Sequence, residues 1–142
     1  MTCNFDDVTD FALREIGEFT EADRVVIFLL RENEPVYDIT HEWCKKGVPS
    51  RKSDPQGTPV DKLPWWMKQI QKKKYVLIRD VGKLPKEAVT EKEILDRHKI
   101  KSLRAIPLVI MGDFTGFIAF HNVMKTGVWD NGDMALLKVF AE

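Results

Sequence analysis

The side chains able to do chemistry in this sequence are few and scattered. Arg104 interrupts the apolar run Leu103 to Ile110, and a guanidinium inside a sheet needs a carboxylate, an anion or a solvent-filled pocket beside it. It could hold an anionic ligand, or snorkel to a neighbouring Asp or Glu. His121 stands near the end of a second apolar run, where an imidazole is either a satisfied polar residue or a ligand contact. Trp43 and Trp66 have the shape for stacking on a ligand, with core packing as the competing role. Trp43, Trp66, Arg104 and His121 are therefore the pocket candidates.

Catalytic and metal patterns fail one by one. His41 and Cys44 have a metal-type spacing, but three positions apart on a strand they point to opposite faces. His41-Glu42 begins like a zincin helix motif, yet Lys45 stands where the second histidine must be. Gly82-Lys83 has neither the preceding glycine nor the following Ser or Thr of a phosphate loop. The sequence holds no Gly-x-Ser-x-Gly and no paired carboxylates in an apolar setting, so no catalytic residue and no metal site is expected. Lys72-Lys73-Lys74 could touch phosphates, but at the end of an amphipathic helix such a cluster reads as a solvated, dipole-favoured terminus.

Composition sets the frame for these residues. The 142 residues, 44% hydrophobic and 31% charged, fit one folded domain with a single core. Lys+Arg of 22 against Asp+Glu of 22 leaves no global field to draw the chain onto nucleic acid or an anionic membrane. No run approaches the ~20 apolar residues of a membrane span. The acidic start of the chain is unlike a secretory signal, so a cytoplasmic domain is expected, whether or not a longer parent is membrane-anchored. The two cysteines, Cys3 and Cys44, read as free thiols.

Periodicity supplies the elements. Phe5, Val8, Ala12, Ile16 and Phe19 form one apolar stripe and predict a helix over 4–20. Val25 to Leu30 reads as a central strand. Val36 to Cys44 alternates Tyr37, Ile39, His41 and Trp43 against Asp38, Thr40 and Glu42, the pattern of a half-exposed strand in a hairpin. Residues 45–57 form a long loop of the kind that covers sites. Leu63, Trp66, Met67 and Ile70 predict a helix over 61–73 with Trp66 inward. A short strand, Tyr75 to Ile78, precedes a helix over 86–98 in which Thr90 and Glu93 have capping-box spacing. Leu103 to Ile110 and Phe114 to Val123 form a hairpin around Met111-Gly112-Asp113. A last helix begins at Asp130 and meets no stop signal by Glu142, as expected for a module excised from a longer protein.

In this order, Ala22-Asp23-Arg24-Val25, His41-Glu42-Trp43-Cys44, Leu63-Pro64-Trp65-Trp66-Met67, Val81-Gly82-Lys83-Leu84-Pro85-Lys86-Glu87-Ala88, Lys101-Ser102-Leu103-Arg104-Ala105-Ile106-Pro107-Leu108, Gly116-Phe117-Ile118-Ala119-Phe120 and Trp129-Asp130 are similar to the GAF domains of prokaryotic sensor histidine kinases and diguanylate cyclases. The resemblance spans residues 1–142 as a single domain. It implies an α+β, PAS-related fold with a central antiparallel sheet of five to six strands. The terminal helices would lie on one face, and loops and middle helices would roof a pocket on the other.

The resemblance also implies a function. It is that of a non-catalytic sensory module of a signal-transduction protein, which binds a small molecule and relays its state to an output domain. In many relatives the terminal helices pair in a homodimer and run on into that domain. A covalent bilin is not expected, because bilin-binding relatives use a cysteine next to a histidine and His98 is flanked by Arg97 and Lys99. Cyclic nucleotides are disfavoured too: Asn122, Trp129 and Asp133 match part of that subfamily's signature, but Val123 and Met134 replace its Lys and Glu. The ligand stays unknown, with no nucleic-acid or membrane partner expected for this domain. Two other readings stay open, a ligand-free dimerisation module and a thiol reductase using Cys44.

Overall fold

The computed structural model describes residues 5–52 and 57–124. Among the described residues three α-helices, α1 (Phe5–Thr20), α2 (Pro64–Lys73) and α3 (Val89–Arg97), accompany six strands. The strands are β1 (Arg24–Leu30), β2 (Val36–Cys44), β3 (Thr58–Pro59), β4 (Val76–Ile78), β5 (Ser102–Ile110) and β6 (Asp113–Asn122). They form one sheet in the order β3-β2-β1-β6-β5-β4, antiparallel at every pairing. The expected architecture is present, with β3 as a short edge strand directly after the long loop. Cys3, Trp129, Asp130 and the last expected helix lie outside the described residues.

Each face of the sheet has its own core. One cluster gathers Tyr37, Trp66, Ile70, Val76, Ile78, Leu95, Leu103, Phe117 and Ala119 beneath α2 and α3. The other joins Leu13 of α1 to Val25, Ile106, Ile118 and Phe120. Alternation along β6 explains the division: Phe117 and Ala119 face the first cluster, Ile118 and Phe120 the second. One strand thus has side chains in both cores.

The α1 stripe is reassigned by the structure. Leu13 is the buried anchor, Ile16 is half-buried, and Val8, Phe11 and Phe19 face solvent at 56%, 66% and 69% exposure. Gly17 lets Trp43 lie against the helix, since a Cβ there would collide with the indole ring. The helix therefore buries the stripe through positions 13, 16 and 17 and leaves a second apolar stripe outward.

In α3 the capping-box reading also gives way. The helix starts at Val89, so Thr90 is already inside it, and the cap position, Ala88, makes no side-chain bond. A 3-10 turn over Lys86–Ala88 leads into it instead.

Asp23, buried just before β1, ties the two central strands together at the end of β6. Its Oδ2 accepts the backbone N–H groups of Val123 (2.8 Å) and Met124 (3.0 Å), and its own N–H donates to the carbonyl of His121 (2.9 Å). Asp23→Ala strands two backbone donors and should lower stability by about 2 kcal/mol. Asp23→Asn, which keeps an acceptor oxygen, should lose less. Urea unfolding of the two variants checks the difference.

Candidate functional site

Between the sheet and its roof lies a cavity of about 70 Å³ lined by residues from β1, β2, β3, β5, β6, α2, α3, the loop after β2 and the turn before α2. Its wall is mostly apolar and aromatic: Phe28, Tyr37, Leu63, Trp66, Leu103 and Phe117. Phe117 is the hub, with Tyr37 and Phe114 at ring-centroid distances of 5.0 Å and Trp66 edge-on at 5.6 Å. The Tyr37 hydroxyl donates to Met67 Sδ at 3.6 Å, and burial pushes its phenol pKa up.

The roof is fastened by charged side chains. Arg24 and Glu42 reach the loop after β2: Arg24 Nη1 donates to the carbonyl of Pro49 (2.8 Å), and Glu42 accepts the backbone N–H of Arg51 (2.7 Å) and the Ser50 hydroxyl. This brings Arg51 to the cavity, its guanidinium 6.0 Å from the centre of the Phe28 ring. Arg24 Nε donates to His121 Nδ1 at 3.0 Å. His121 is buried and neutral, because burial first, and then the Arg24 and Arg51 charges, push its pKa well below 6.5. With Nδ1 accepting, the proton of the neutral ring sits on Nε2.

The sign of the resulting pH dependence follows from proton counts. Below 6.5 the unfolded chain protonates His121 and the folded chain does not, so the unfolded state binds more protons. The contribution of His121 to stability should be flat above 6.5 and fall on acidification, by up to about 1.4 kcal/mol per pH unit, until the folded ring also titrates. Replacing the ring in His121→Asn should flatten that slope relative to the wild type. Urea unfolding between pH 7 and 5 measures it.

Opposite the sheet, Glu91 of α3 is 2% exposed. Its Oε2 accepts the backbone N–H of Trp66 at 2.9 Å, supplying the N-terminus of α2 with the cap that Leu63 does not make. Its Oε1, and the indole Nε1 of Trp66, are buried and have no hydrogen-bond partner among the described residues. Both residues line the cavity.

Of the four candidates read from the sequence, the structure brings Trp66 and His121 together in the cavity wall and places Trp43 and Arg104 on the other face. A bulge explains Trp43. Ile27 pairs with His41 but Phe28 with Ile39, so Thr40 is an extra residue in β2 and the alternation inverts across it. Tyr37 enters the cavity and Trp43 packs against α1. Arg104 is 2% exposed, lies 5.3 Å over the Phe120 ring, and donates from Nη2 to the carbonyl of Thr20 at 3.3 Å. A cation at the last turn of α1 is favourably placed against the helix dipole.

The sequence reading missed Glu91, Arg51 and Tyr37. The first left a signal of the same kind as Arg104: on the buried face of α3, Ala88 and Leu95 are apolar and Glu91, between them, is charged.

Other chemistry-bearing groups do not converge. Cys44 is half-buried, and burial together with Glu42 pushes its thiol up to about 11, away from an activated thiolate. Among the described residues no group of three or more His, Cys, Asp or Glu side chains could hold a metal ion. Asn122 is buried and turned toward the carbonyl of Glu21 (3.4 Å). Among the described residues no helix is long and apolar enough to cross a membrane.

A fold with this strand order, roofed on one face and bearing α1 on the other, is an α+β domain built on one antiparallel sheet. The chain belongs to the GAF domain family, whose model matches residues 4–142. It is 28% identical over 145 residues to the methanogenesis regulatory histidine kinase FilI of Methanothrix harundinacea, an alignment covering 97% of this chain. The chain spans only 16% of that protein's length. Among solved structures it is similar to the phycocyanobilin-bound GAF domain of a cyanobacterial phytochrome, with a TM-score of 0.81 and 16% identity over 98% of this chain and 81% of the other. The blue-light-absorbing form of the PixJ GAF domain of Thermosynechococcus elongatus gives a TM-score of 0.74 at 16% identity, over 99% of this chain and 86% of the other.

Proposed function

We propose that the chain is a non-catalytic sensory GAF module excised from a longer signalling protein. It takes a small molecule in the cavity and passes the state of that cavity through α1 and the terminal helices to an output domain of histidine kinase or diguanylate cyclase type. The observation that carries this reading is the cavity itself, an aromatic-lined space with buried polar atoms in its wall beneath a fastened roof. The likeness to FilI supports a kinase as the output. Strand β6 supports the relay, since Phe117 and Ala119 face the cavity while Ile118 and Phe120 belong to the core under α1. Val8, Phe11 and Phe19, exposed on α1, support a homodimer through that helix.

The size of the cavity argues against a bilin here. Pockets for drug-sized ligands measure ~300–1,000 Å³, and Trp66, Tyr37 and Phe117 occupy this one. The same filling favours the second reading, a ligand-free dimerisation module. The thiol-reductase reading is weakened by the raised pKa of Cys44.

Native mass spectrometry of the freshly purified chain separates the readings. A dimer retaining a small molecule is expected, and Phe11→Glu should give a monomer that keeps it. A dimer of bare sequence mass would favour the dimerisation reading, and a bare monomer would contradict both.

A further inference from the structure

Resting on that sensory reading, we infer that the cavity is built for a compact amino acid, bound through its ammonium and carboxylate groups. The starting point is the pair of unsatisfied atoms. Glu91 Oε1 is a buried acceptor and Trp66 Nε1 a buried donor, both without a partner among the described residues, on two residues that line one cavity. Buried polar groups are almost always paired, and leaving them otherwise costs the full desolvation of each. A ligand that answers both must donate to a carboxyl oxygen and accept from an indole N–H.

The charges in the wall narrow the class further. Glu91 supplies negative charge from the roof, and the guanidinium of Arg51 supplies positive charge. Arg24, bonded to His121, adds to the positive field at the sheet. A simple cation would meet Glu91 favourably and Arg51 unfavourably, and a simple anion the reverse. A zwitterion meets both, with its ammonium on Glu91 Oε1 and its carboxylate on Trp66 Nε1, in the field of Arg51. The neutral ring of His121 adds no competing charge.

Volume sets the size of the side chain. At ~10–15 Å³ for each water-sized probe, a cavity of about 70 Å³ has room for roughly five to seven such atoms. That is the size of glycine or alanine. The aromatic faces of Phe28, Tyr37 and Phe117 line the wall beside it and give a methyl group apolar company.

Calorimetric titration of the chain with glycine, L-alanine, methylammonium and acetate tests this. Saturable binding of at least one of the two amino acids is expected, about tenfold or more tighter than either half-ligand. Glu91→Gln and Trp66→Phe should each weaken it by about tenfold or more. Glu91→Gln keeps an oxygen for the Trp66 backbone N–H, so an unchanged melting curve certifies its fold. Amino-acid binding equal in wild type and both variants would overturn the inference, as would half-ligands that bind as tightly. Absence of amino-acid binding, with a different small molecule retained in the native mass spectrum, would overturn it while the sensory reading stands. Absence of both would remove the sensory reading as well.

Discussion

Phe117→Ala should lower stability by about 4 kcal/mol, the middle of the range for removing a buried phenylalanine. Phe117 is 2% exposed and holds Tyr37, Trp66 and Phe114 around one ring, so its loss removes three aromatic contacts together with its buried area. For a domain of this size the melting temperature should fall by about 15 °C. The space vacated lies among the apolar faces of Tyr37, Trp66 and Phe114, and a void lined by such faces accepts small aromatic molecules. Benzene should therefore raise the melting temperature of Phe117→Ala and leave the wild type unchanged. Differential scanning calorimetry reads both effects.

Gly116→Ala should cost about 3 kcal/mol, the upper part of the overpacking range, despite adding only a methyl group. Gly116 pairs with Leu29 of β1 on one side and Leu108 of β5 on the other. A Cβ there would collide with the carbonyl oxygen of Phe28 and stand 3.0 Å from the Cα of Leu29. These are backbone atoms of the central strand, and neither can rotate away as a side chain would. The sheet must open at the β1–β6 pairing, which also carries Phe28 and Phe117 of the cavity wall. Loss of amide protection along Val26 to Leu29, read by hydrogen exchange, would localise the damage.

The fold was legible because its signals are local. Apolar runs, the Met111-Gly112-Asp113 turn and the helical spacing of Leu63, Trp66, Met67 and Ile70 each report on neighbouring residues, and the elements fall close to where those patterns place them. Sites are less legible because they depend on which face a side chain takes. One extra residue at Thr40 reverses Tyr37 and Trp43, and no composition or spacing in β2 announces a bulge. Arg104 was conspicuous as a charge in a strand, but its partner, the carbonyl of Thr20, is 84 positions away. A buried charge shows that a partner exists without showing whether it is a ligand or the end of a helix. Glu91 likewise stands out as a charge on a buried helix face, but its partner, the backbone N–H of Trp66, lies on another helix 25 positions away. The outward stripe of α1 was misread for a related reason, since a helix with apolar residues on two faces does not say which faces the sheet.

In the proposed function the cavity and α1 form one coupled system. A ligand moves α1 only if it binds its two arrangements with different affinity. The most direct measurement is the distance between spin labels placed at Asp10, exposed on α1, in the two copies of a dimer whose native cysteines have been replaced by serine. It is made with the cavity emptied and then loaded with the compound that the mass spectrum identifies, or with glycine. A distance distribution that shifts on loading, and fails to shift in Glu91→Gln, is the expected result. A distribution that stays the same with the cavity demonstrably occupied would contradict it.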